Sequence, residues 1–102
     1  MTYKLEVSDE AHEDIDNTVE YMIQNLENPS AASSFLDDVQ QSYLRLKDNP
    51  YMFSMCQDLR LQEMGYRKVV IKHYLVLFRV EGNVVYVVRV IYGGRNYVNF
   101  VL

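Results

Sequence analysis

Along the first seven positions apolar residues fall at every second place: Tyr3, Leu5 and Val7 alternate with Thr2, Lys4 and Glu6. A period of two is that of a strand with one buried face. The period then changes. Ala11, Ile15, Val19, Met22, Ile23 and Leu26 recur at spacings of four, four, three, one and three, which is one stripe of a helix. Ser8 precedes that stripe as its N-cap, and Asp9 and Glu10 stand in the first turn, where carboxylates complement the helix dipole. Asn28-Pro29 predicts the end of this helix, because a residue before proline is pushed out of the α region. Ser30 is expected to cap a second helix with the stripe Ala32, Phe35, Leu36, Val39, Tyr43 and Leu46, closed by Asp48-Asn49-Pro50.

Residues 51–65 have no clear period and are expected to form a loop with room for one helical turn. Beyond Tyr66 the character is that of strands, at 69–71, 74–80 and 84–92, with Glu81-Gly82-Asn83 marking a hairpin between the last two. Gly93-Gly94 ends the last strand, and 95–102 reads as a short tail. The order β-α-α-β-β-β predicts an α+β fold in one domain, 1–102. A helical hairpin is expected to pack on one face of a small, mainly antiparallel sheet, since nothing else in the chain offers cover. The opposite face, or its rim, is where exposed strand residues would act.

Composition narrows the class. The chain has 102 residues, 49% of them hydrophobic, enough for a packed core and too many for disorder. The single cysteine, Cys56, rules out an internal disulfide framework and reads as a small buried apolar group rather than a nucleophile. No stretch approaches the roughly 20 apolar residues that span a bilayer, and the N-terminus lacks a leader's basic-then-apolar order, so a soluble, cytoplasmic protein without membrane contact is expected. Neither the histidines nor the carboxylates fall at metal-ligand spacings, so no metal and no small-molecule cofactor is expected.

The net charge of −4 conceals an asymmetry: residues 1–50 carry three Lys/Arg against eleven Asp/Glu, and residues 51–102 carry seven against three. Opposite halves of opposite sign suggest opposite faces, the basic one available to an anion. The plainer alternative is acids solvating two surface helices while arginines flank strands.

The stretch Gly65-Tyr66-Arg67-Lys68-Val69-Val70-Ile71-Lys72-His73-Tyr74-Leu75-Val76-Leu77-Phe78-Arg79-Val80, followed by Arg89-Val90-Ile91-Tyr92-Gly93-Gly94-Arg95, resembles the RelE/ParE toxins. The shared features are an arginine-led strand, a Tyr-apolar-apolar-apolar-aromatic-Arg-Val strand, and a strand ending in aromatic-Gly-x-Arg. The resemblance covers about residues 2–97. It implies the toxin of a bacterial type II toxin–antitoxin pair, silenced by a cognate antitoxin protein. It also implies one of two targets, the ribosome with its mRNA, which RelE-type members cleave, or DNA gyrase, which ParE-type members inhibit.

Cutting RNA at the 2′-hydroxyl needs cationic donors around the phosphate and a proton donor for the leaving oxygen. On the resemblance, Lys68 and Arg95 match cations of the ribonuclease members, with Arg67, His73 and Tyr97 as further catalytic candidates. The position after Tyr74, an arginine in those members, is Leu75 here, and the strand wording is that of ParE. The expected activity is therefore ParE-like growth inhibition by binding a host target such as DNA gyrase. A RelE-like ribosome-dependent mRNA endonuclease and a decayed toxin that only binds its antitoxin are the alternatives. His73 reads more readily as a polar, solvent-facing strand start than as a proton carrier.

Arg79, Arg89 and Tyr92 are candidates for a target- or anion-binding surface. A three-residue turn at Glu81-Gly82-Asn83 places both arginines on one face, and a two-residue turn at Gly82-Asn83 places them on opposite faces. The alternative for both is structural, with stems covering apolar surface and heads reaching carboxylates.

Overall fold

The computed structural model describes residues 2–94 and 97–101. Strand β1 (Lys4–Val7) leads into helix α1 (Asp9–Gln24) and helix α2 (Pro29–Asp48). After a 3-10 turn at Pro50–Met52 come a short helix α3 (Leu59–Glu63), strands β2 (Arg67–Ile71), β3 (Tyr74–Glu81) and β4 (Val84–Tyr92), and a second 3-10 turn at Tyr97–Phe100. The sheet runs β1-β4-β3-β2, with β1 parallel to β4 and the other pairs antiparallel. The expected α+β architecture and helical hairpin are therefore present.

Local signals fix most boundaries, with instructive exceptions. Ser8 caps α1 as its sequence position suggests, its Oγ accepting from the Ala11 N–H at 3.0 Å. The second cap is Asn28, not Ser30: Asn28 Oδ1 accepts the Ala31 N–H at 3.1 Å and Pro29 is the first helical residue. Proline suits that position because its missing N–H is one that a helix start leaves unpaired. Leu26 falls beyond the end of α1, and Ile23 and Leu36 lie on exposed flanks of their helices.

The main core lies between the helical hairpin and one sheet face. Ala11, Ile15 and Met22 of α1 and Phe35, Val39 and Leu46 of α2 meet Val76, Phe78, Val85, Val87 and Val90. Each large side chain fully buried there contributes roughly 1.5–3 kcal/mol. The helices are not the only cover, however. On the other face Leu77 and Ile91 are buried under Cys56, Leu61 and Tyr66, and the C-terminal tail packs over them through Tyr97, Val98, Phe100 and Val101. Residues 51–65 hide their period because they pass from one face to the other rather than forming one long element: Phe53 packs against the main core, and Cys56 and Leu61 against the second face.

The β3–β4 hairpin answers the register question with a device neither alternative contains. Glu81 pairs with Val84, so the turn is Gly82-Asn83, with Gly82 at φ +58°. Glycine at a positive-φ first central position is what a two-residue hairpin favours. Further along, Phe78 pairs with Val87 but Leu77 pairs with Arg89, leaving Val88 as the extra residue of a β-bulge. The bulge flips the alternation of β4. Arg79 and Arg89 consequently share the second face despite the two-residue turn.

Candidate functional site

Pairing across the sheet separates the residues proposed for RNA cleavage. Arg67 pairs with Phe78 and faces the helices, whereas Lys68 pairs with Leu77 and faces the second layer. Arg67 Nη1 donates to the Phe53 carbonyl at 2.7 Å, and its guanidinium lies 5.1 Å from the Tyr51 ring centroid. That engagement pins the segment after α2. Lys68 and Tyr97 are brought together, because the tail folds back and Lys68 Nζ stands 5.9 Å from the Tyr97 ring centroid. Burial pushes the Tyr97 phenol above its ordinary range, and the neighbouring Cys56 and Asp58 add to that.

His73 is not on a strand. A two-residue connection, Lys72-His73, joins Ile71 to Tyr74, which leaves the imidazole exposed in a turn. Its backbone carbonyl accepts the Gly93 N–H at 2.7 Å. Arg95 lies outside the described residues.

Arg79 pairs with Glu81 and lies 5.2 Å from the Tyr86 ring centroid. Arg89 occupies a different setting. Strand β1 covers β4 only as far as Val7↔Val87, so residues 88–92 form a free edge. Unpaired edge groups invite foreign strands and are managed by covering them. Here α1 does so: the Ser8 N–H and Oγ–H donate to the Val87 and Val88 carbonyls at 2.9 and 2.7 Å, and Asp14 Oδ2 accepts the Val90 N–H at 3.0 Å. Asp14 also receives two bonds from Arg89, which raise that guanidinium's pKa. Beside this edge lies a groove of about 770 Å³ whose walls include Tyr21, Tyr74, Tyr92, Arg89 and Phe100. Tyr92 is 47% exposed and meets Tyr74 edge-on at 5.7 Å.

Asp14 is the residue whose role the sequence concealed. It reads as one more solvated acid on a helix, and nothing in its spacing marks it as the cap of a strand 76 positions away.

The second face is chemically apolar at its centre. Leu75, Leu77 and Ile91 are each no more than 7% exposed. The cations Lys68, Arg79 and Arg89 stand at its margins, already engaged with Tyr97, Glu81 and Asp14. Burial also raises the pKa of the Cys56 thiol; Lys68 opposes that rise and Asp58 adds to it. Among the described residues no cluster of three His, Cys, Asp or Glu is disposed to hold a metal, and no helix is long and apolar enough to cross a membrane.

With that geometry in place, comparison with known proteins gives a consistent answer. No curated protein matches the sequence. A solved structure titled "Chromosomal ParDE TA system from P. aeruginosa" contains a chain that superposes with a TM-score of 0.71, covering 89% of this chain and 96% of that one. At 17% identity this likeness is one of fold. The sequence profile of the family described as "ParE toxin of type II toxin-antitoxin system, parDE" matches residues 5–97, nearly the whole chain. The chain belongs to the ParE toxin family of type II toxin–antitoxin systems.

Proposed function

We propose that this chain arrests growth by binding a host protein, DNA gyrase foremost, and that a cognate antitoxin neutralises it. The observation that carries the reading is the apolar second face. A phosphate-cleaving site needs several cationic donors converging on one point. Here the position after Tyr74 is Leu75, 7% exposed, and the centre of that face is packed with leucine and isoleucine. Arg67 and Lys68 point to opposite sides of the sheet. An isoelectric point near 5.0 also suits a protein target better than the ribosome's phosphates. Purified chain is expected to inhibit gyrase supercoiling; supercoiling untouched at micromolar excess rejects the gyrase reading.

One contact favours a second reading, a ribosome-dependent mRNA endonuclease. Lys68 and Tyr97 lie together, the ammonium 5.9 Å from the centroid of the phenol ring. Primer extension on translated messages after induction tests it, and an absence of new ends rejects it. Growth arrest on expression without antitoxin separates both readings from a decayed toxin.

A further inference from the structure

The free edge of β4 is covered only in part. Ser8 engages the Val87 and Val88 carbonyls and Asp14 the Val90 N–H, and there the cover ends. In an antiparallel ladder the outward direction returns at every second residue, so the Tyr92 N–H and C=O face away from β3, as the Val90 N–H does. The bond from the Gly93 N–H to the His73 carbonyl fixes that alternation, because it points inward across the sheet. Among the described residues no hydrogen bond reaches either outward group of Tyr92.

The groove of about 770 Å³ lies beside this edge. Asn17 and Tyr21 of α1 and the rings of Tyr74 and Tyr92 wall it toward the helices, and Ile91 and Phe100 wall it toward the second face. Gly94 stands at its end, where a Cβ would strike the Tyr92 ring, so the glycine lets that ring rest in place. Arg89 and Asp14 neutralise each other within it, which leaves aromatic and amide surface without net charge. An open donor and acceptor on a strand edge, set between apolar walls, suit the addition of a foreign strand. Backbone bonds hold such a strand, and its alternate side chains fill the two walls.

We infer that the groove between α1, the end of β4 and the C-terminal tail grips an extended, uncharged segment of the host target. The segment lies antiparallel to β4 and exchanges two hydrogen bonds with Tyr92. Its alternate side chains fall against Tyr21 and Tyr74 on one side and against Phe100 on the other. This rests on the host-protein reading above. Ile91 and Phe100 belong both to the groove and to the apolar second face that carries that reading, so the two surfaces are continuous. A second copy of the chain fits less well. The outer strands it could insert, β1 and β2, carry Lys4 and Glu6, and Arg67 and Lys68, charges that a neutral groove leaves unpaired.

The test uses the full chain with purified DNA gyrase, reading binding and supercoiling, and takes the antitoxin encoded beside it as a second ligand. Tyr92→Ala removes the ring alone, whereas Tyr92→Pro also removes an N–H that no bond of the sheet uses. Tyr92→Ala is expected to weaken gyrase binding about tenfold, and Tyr92→Pro about tenfold further. Asn17→Trp, at an exposed position of α1, fills the groove from the opposite wall. It is expected to weaken gyrase binding about tenfold or more with circular dichroism and melting unchanged, and it decides the matter if Tyr92→Pro does not fold. Amide exchange around Tyr92 should slow when gyrase is added to the parent. Antitoxin binding should stay within about twofold for every folded variant. Gyrase binding within about twofold of the parent for Tyr92→Ala and Asn17→Trp overturns the inference while leaving the host-protein reading intact. Equal losses for Tyr92→Ala and a folded Tyr92→Pro overturn the strand pairing. Loss of antitoxin binding with gyrase binding retained assigns the groove to the antitoxin and overturns the inference too. If the parent neither binds gyrase nor inhibits it, the inference and the gyrase reading fall together.

Discussion

Arg89 and Asp14, 75 positions apart, meet in a two-point ion pair, with Nε to Oδ2 and Nη2 to Oδ1 both at 2.7 Å. The same carboxylate accepts the Val90 N–H, and the same guanidinium reaches the Phe100 carbonyl at 3.3 Å and lies 5.1 Å from the Phe100 ring centroid. One arginine thus ties α1, the free edge of β4 and the C-terminal tail together. It can do so because the bulge at Val88 brings it onto the second face next to the edge that β1 leaves unpaired.

This pair is largely withdrawn from solvent, with side-chain exposures of 20% for Arg89 and 13% for Asp14. Removing one member leaves the other charge uncompensated and the Val90 N–H without its acceptor. Asp14→Ala is therefore expected to cost about 3 kcal/mol. Asp14→Asn keeps an oxygen for the Val90 N–H and should cost less. Urea denaturation checks both, and equal losses for the two variants would show that charge alone is at stake.

Tyr43 offers a stability effect of the opposite sign. Its hydroxyl is buried and finds no hydrogen-bond partner among the described residues, and burial pushes its pKa up to about 12. A phenol in the unfolded chain ionises near pH 10, so between about pH 10 and 12 the folded state holds a proton that the unfolded state has lost. Stability must then fall as pH rises through that window, with the full contribution present below it. Tyr43→Phe should lessen this slope and, by deleting an unpartnered polar atom, match or exceed the parent's stability at neutral pH by up to about 1 kcal/mol. Denaturation curves at neutral and alkaline pH decide the matter.

How far the sequence discloses this molecule depends on whether the cause of each feature is local. The stripe from Ala11 to Met22, the cap at Ser8 and the run from Tyr74 to Tyr92 produce their elements through periods and neighbours a few residues away, and these are legible. The bulge at Val88 is not, because it is a mismatch between two strands rather than a property of either. The second layer escapes for a related reason. Cys56, Leu61 and Tyr66 are fixed by contact with a tail some forty positions on, and their spacing follows that surface instead of a helix or strand period. The division of Arg67 from Lys68 was available in principle, since adjacent residues of a regular strand face opposite ways. Asp14 was not, since its acceptor role requires knowing where β1 ends alongside β4.

The thiol of Cys56 is expected to behave as packing rather than chemistry. It is fully buried, its backbone N–H donates to the Tyr66 carbonyl at 3.1 Å, and burial raises its pKa, so the reactive thiolate is disfavoured in the fold. A disulfide reagent near pH 8 should modify it at least about a hundredfold more slowly than an unfolded-chain thiol, with full reactivity restored in urea. Cys56→Ala should cost about 1–2 kcal/mol through the small cavity it leaves. Rapid modification of the native chain would mean that the second layer opens readily.

The contact between Lys68 and Tyr97 separates the two activities most cleanly, because each member can be altered without disturbing the fold. Tyr97→Phe keeps the ring that Lys68 approaches and the packing against Leu77 and Ile91, and removes only the phenolic oxygen. Lys68→Met keeps an unbranched stem and removes the charge. If the chain acts by binding a protein through other surfaces, both variants should arrest growth within about twofold of the parent. An RNA-cleaving toxin relying on these groups should lose about a hundredfold or more when its proton donor is deleted. Tyr97→Ala serves as the structural control: losing the ring should cost about 2 kcal/mol and loosen the tail in either case. Viable counts after induction, read beside the melting temperature of each variant, distinguish a lost reaction from a lost fold.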